Sequence, residues 1–99
     1  MPADWLERET ARAPEALRGR VRDHLAGAGS PAPTPEALAR SGRRALDRVL
    51  ARGGNRSVAL DLLAADALVT LALLAQAEGS PEGLGDFAAG VLRDVSPRV

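Results

Sequence analysis

One histidine, two aspartates inside an apolar run and a ladder of arginines are the residues whose types and spacing could do chemistry. His24 is the sole histidine. It falls on the spacing of Leu17, Val21, Leu25 and Ala28, the i, i+4, i+8 pattern of one buried helix face, which predicts a packed or capping residue. As a general base it would need a carboxylate beside it. Asp66 is the candidate, because it stands among Leu62, Val69, Thr70 and Leu73 and is expected to lie at least partly inside. A buried carboxylate needs a partner or a raised pKa. An arginine of a neighbouring helix would supply that partner without any catalysis. Asp61 lies five residues away, about 140° around a helix. It falls in the first turn of the predicted helix, where a negative charge suits the dipole. Structural roles are expected for both aspartates, and an enzyme would require Asp66 and His24 to meet in one pocket.

The other chemical signals are absent or bland. With no cysteine and one histidine there is no thiolate or zinc set, and no carboxylate cluster has the spacing of a calcium loop. Ser30, Ser41, Ser57, Ser80 and Ser96 lack a base in any nucleophile pattern. Gly53-Gly54-Asn55-Arg56-Ser57 before a helix has the outline of an anion cradle, but the spacing is not that of a phosphate loop and no lysine follows. No catalytic residue, cofactor or metal is therefore expected.

The arginines carry a stronger pattern. Arg40, Arg44, Arg48 and Arg52 recur every four residues, with Arg43 beside them and Asp47 the one acid interposed. Residues 40–56 carry a local charge of +5 and residues 57–99 a local charge of −4, although the whole chain is neutral. Three readings compete: a solvated face paired with the acidic half, a dock for an acidic protein, and a phosphate-neutralising face for nucleic acid. No aromatic residues accompany these arginines to stack on bases.

The elements that must position these groups are helices. Alanine and leucine dominate the 45% apolar fraction, while aromatic residues are limited to Trp5 and Phe87. The 99 residues form a single domain, residues 1–99. Asp4 and Glu7 read as a capping box opening a short helix over residues 1–12, and Pro14 opens a second that runs to about Ala26. Gly27, Gly29, Ser30, Pro31 and Pro33 form a loop. Thr34 and Pro35 start a third helix, with Leu38, Gly42, Ala45, Leu46, Val49 and Leu50 on one side, stopped near Arg52 by Gly53 and Gly54. Asn55 or Ser57 caps the long apolar helix of residues 57–78. Ser80 and Pro81 open a glycine-weakened last helix to about Val95, with Leu84, Phe87, Ala88, Val91 and Leu92 apolar.

The long helix sets the main problem, because its apolar residues circle it completely and a short chain has little material to cover it. At about 33 Å it could span a bilayer. Its nine leucines and valines give about −4.5 kcal/mol of insertion energy, which Asp61 and Asp66 cancel at up to about +3 kcal/mol each. No membrane span is expected, and the acidic start MPADWLERE is not a signal peptide. Leu60, Leu63, Ala67, Leu71 and Leu74 form one stripe, and Leu62, Val69 and Leu73 another roughly opposite. Ala64, Ala65, Ala72 and Ala75 make a small-residue side, interrupted by Leu68, that permits close helix approach.

The run VLARGGNRSVALDLLAADAL, about a fifth of the chain, resembles the glycine turn and following apolar helix of the all-α polyprenyl diphosphate synthases. Asn55 stands where that family has lysine, its aspartate-rich magnesium motifs are absent, and the chain is too short for that fold. The resemblance implies shared helix chemistry alone.

The expectation is an all-α cytoplasmic domain, a small bundle of four to five helices around residues 57–78. Its expected function is non-catalytic protein interaction, as a homo-oligomer (a dimer) or with another protein, through Leu60, Leu63, Ala67, Leu71 and Leu74. The alternative is nucleic-acid binding through Arg40, Arg43, Arg44, Arg48 and Arg52.

Overall fold

A computed structural model describes residues 4–27, 33–52 and 55–95. The described residues form five α-helices and one 3₁₀ turn: α1 (Trp5–Glu9), α2 (Glu15–Gly27), α3 (Pro35–Arg52), α4 (Arg56–Gly79), the turn (Pro81–Gly83) and α5 (Leu84–Val95). The all-α architecture follows from the helix-forming composition, and α4 is its centre, packed against α2, α3 and α5.

Caps set most boundaries. The Thr34 hydroxyl accepts from the Ala37 amide at 3.2 Å, and Asn55 Oδ1 accepts from the Val58 amide at 2.9 Å, so Asn55 rather than Ser57 caps α4. The expected capping box at α1 does not form. Asp4 stands at the cap position without a side-chain bond to the helix, and its carboxylate lies 3.9 Å from Arg8 instead. The helix is shorter than the sequence suggests, ending at Glu9. Ser80 likewise makes no side-chain cap, and the chain enters α5 through the 3₁₀ turn. The expected stop at Gly53-Gly54 and most of the expected loop, Gly29, Ser30 and Pro31, lie outside the described residues, as does Ala28.

The tightest packing joins α3 to α4. Here the small-residue side of α4 (Ala64, Ala65, Ala72 and Ala75, with Leu68 among them) is buried against Ala37, Leu38, Ser41, Gly42 and Ala45. Gly42 lies where the two helices come close: a Cβ there would meet Val69 Cγ2 at 3.0 Å and the Val69 backbone nitrogen at 3.3 Å. Trp5, Val21 and Leu25 complete the core from α1 and α2. Trp5 also donates its indole N–H to Glu78 Oε2 at 2.8 Å, which ties α1 to the last turn of α4.

Three sequence expectations are corrected. Leu50 is 75% exposed, although it continues the apolar spacing of α3. Leu92 projects outward from α5 while Val91 is buried. Asp66 is exposed, because the face 140° away, which carries Asp61, is the one turned inward. By length and composition α4 could cross a membrane, and 44% of its most apolar stretch is buried within this fold.

Candidate functional site

Two features of α4 remain after the core is formed, one on each side of the helix. On the inner side, Asp61 is 1% exposed. It is the sixth residue of α4, past the first turn, so the dipole does not account for it. Its partners come from α2: Arg20 Nη1 donates to Asp61 Oδ1 at 2.9 Å, and His24 Nε2 donates to the same oxygen at 3.0 Å. Arg20 and His24 are one helical turn apart and therefore share a face. Burial works against the charge on Asp61, but the hydrogen bond from His24 and the positive charge of Arg20 outweigh it and hold the carboxyl below its ordinary range. His24 thus meets Asp61, not Asp66.

Beside this cluster is a concavity of about 190 Å³, lined by Arg20, Asp23, His24, Gly27, Arg44 and Arg48. The lining offers an oriented imidazole and cations, and it contains no hydroxyl or thiol that His24 could activate. Among the described residues no group of three metal-ligating side chains converges.

The arginine ladder is divided by the fold. Arg40, Arg44, Arg48 and Arg52 are exposed, whereas Arg43 is half-buried. Arg43 lies 3.9 Å from Asp47 and 3.8 Å from Asp94 of α5. Arg40 and Arg43 share a second concavity, of about 300 Å³, with the carboxylates of Glu36, Asp86 and Asp94. Arg44 and Arg48 face the His24 side, and the Arg44 guanidinium lies over Gly27 at the end of α2. The five arginines therefore do not form one continuous basic surface.

On the outer side, α4 presents a largely apolar face to solvent, with Asp66 and Thr70 in it. Leu62 is 49% exposed, Leu63 55% and Leu74 37%. Ala59, Asp66 and Thr70 are exposed between them, and Leu73 and Ala77 are half-buried at the edge. Toward the start of α4 this face continues into a shallow, almost wholly apolar groove of about 640 Å³ between Ala16 of α2 and Ala59, Leu60 and Leu63. Of the stripe expected from sequence, Leu63 and Leu74 lie on this face, and Leu60 and Ala67 are half-buried beside it. Leu71 is 7% exposed and belongs to the chain's own core.

Sequence reasoning missed Arg20 and Asp61 as partners. The available signal was the pair Arg20 and His24 at i and i+4, which an acid on a facing helix can satisfy together. It also missed Leu62, Asp66 and Thr70 as members of the outer face. No protein-family model, curated protein or solved structure matches the chain.

Proposed function

We propose that this chain is a non-catalytic interaction module that self-associates through the outer face of α4. The observation that carries the reading is the exposure of Leu62, Leu63 and Leu74 along one helix face. Scattered surface leucines are ordinary, but three on one face of one helix, with Asp66 and Thr70 between them, mark an interaction surface. Full burial of a leucine is worth about 1.5–3 kcal/mol, so covering the exposed halves of these three on two copies gives about 6 kcal/mol. That exceeds the lowest association cost, about 4 kcal/mol, by only about 2 kcal/mol, so the dimer is weak and populated at high protein concentration. The same reading keeps α4 out of a bilayer, since insertion would separate Asp61 from Arg20 and His24, and it suits a cytoplasmic protein.

The test is molar mass by light scattering across a concentration range. The mass should rise toward twice that of the chain, and Leu63→Glu should hold it at the monomer value with the helical content unchanged. Leu71→Glu should unfold the chain, because Leu71 is in the core. A monomer at every concentration would overturn the reading. A second reading is nucleic-acid binding, supported by Arg44, Arg48 and Arg52, which have no carboxylate within 4 Å among the described residues. It requires salt-dependent retention of DNA or RNA that Arg44→Glu with Arg48→Glu abolishes.

A further inference from the structure

The outer face of α4 is nearly the same read in either direction. Ala59 and Ala77 lie eighteen residues apart, five whole turns, and so occupy one line along the helix. Leu62 and Leu73 are eleven residues apart, about 20° from a common line, and so are Leu63 and Leu74. Asp66 and Thr70 flank the centre, one turn apart. These four pairs have midpoints at 68, 67.5, 68.5 and 68. The charged ends follow the same pattern, with Arg56 and Glu78, both exposed, centred at 67.

This arrangement has a consequence for how two copies can pack. A two-fold axis perpendicular to two antiparallel helices puts residue i of one beside the residue of the other that lies equally far past the centre on the same lateral side. We infer that the chain dimerises with its two α4 helices antiparallel, crossing near Leu68. The inference rests on the self-association proposed above. In this register Leu62 packs on the second copy's Leu73 and Leu63 on its Leu74. Ala59 meets Ala77, and Asp66 and Thr70 of both copies come together at the centre, one on each side of the Ala59–Ala77 line. Arg56 comes to the end of the helix that carries Glu78, and the two helix dipoles oppose each other. A parallel pair would instead bring Arg56 level with Arg56 and Glu78 level with Glu78, both of them like-charge contacts.

Cysteine cross-linking decides the matter, because the chain has no cysteine of its own. Leu63→Cys and Leu74→Cys are made separately, at positions already open to solvent. Each is oxidised alone and then as an equal mixture, with Glu9→Cys on α1 as the collision control. In the antiparallel register the Leu63 and Leu74 positions are about 1.5 Å apart along the axis, whereas two Leu63 positions are about 15 Å apart and two Leu74 positions about 18 Å. The mixture should therefore form a 63–74 disulfide about tenfold faster than either variant alone, since the pair reacts at the effective concentration of a complex. Rapid disulfides between two Leu63→Cys chains, or between two Leu74→Cys chains, would overturn the antiparallel register and leave self-association standing. Cross-linking no faster than the Glu9→Cys control, with a monomer mass in light scattering, would overturn both.

Discussion

Replacing Asp61 by alanine tests whether the inner cluster holds α2 to α4. The substitution removes the one acceptor shared by Arg20 and His24. Losing one member of a buried ion pair costs about 3–5 kcal/mol when the other charge stays buried. The Arg20 side chain is 30% exposed and can rehydrate, which reduces that figure. The His24 side chain is 4% exposed and cannot, so its ring N–H is left unsatisfied at a cost of about 1–3 kcal/mol. The expected loss is about 2–4 kcal/mol at pH 7, a large part of the stability of a domain this size. Asp61→Asn keeps an oxygen acceptor and loses the charge, so it should cost about half as much. Urea unfolding followed by the fluorescence of the buried Trp5, at low protein concentration, measures both. The pH dependence follows from the lowered pKa of Asp61. Its stabilisation is fully present above the unfolded carboxylate value of about 3.9 and is lost as pH falls through the lower folded value. The gap between the native chain and Asp61→Asn should therefore narrow in acid. An Asp61→Ala variant within about 0.5 kcal/mol of the native chain at pH 7, the range of ordinary surface substitutions, would refute the reasoning.

Two further substitutions test the packing of α4. Gly42→Ala should lower stability by about 1 kcal/mol in urea unfolding, because overpacking against the Val69 backbone outweighs the roughly 1 kcal/mol gained in helix propensity. A stabilised variant would mean that α3 and α4 are not held so close. Asn55→Ala should cost about 1 kcal/mol through loss of the Val58 cap, with the oligomeric mass unchanged. A neutral effect on thermal unfolding would show that the cap is replaced by water.

The helical inventory was legible because it depends on local chemistry. Thr34 with Pro35, and Asn55, mark boundaries that the fold keeps, since caps and proline act through backbone groups a few residues away. The alanine side of α4 was recognisable as a place for close approach, and α3 does pack there. Helix α3 was less legible at its end, where Leu50 continues the apolar spacing and yet is exposed.

Sequence by itself thus determined that the chain is helical, where most helices begin, and that α4 is too apolar to stand alone. Only the tertiary structure decided which side of α4 faces inward. A helix that is apolar all round has no pattern to orient it, so the choice falls to the partners: Gly42 and the alanines let α3 approach one side, and Arg20 and His24 hold Asp61 on that same side. Once Asp61 is inside, helical geometry turns Asp66, Leu62 and Leu63 outward, and that rotation creates the face on which the proposed function depends.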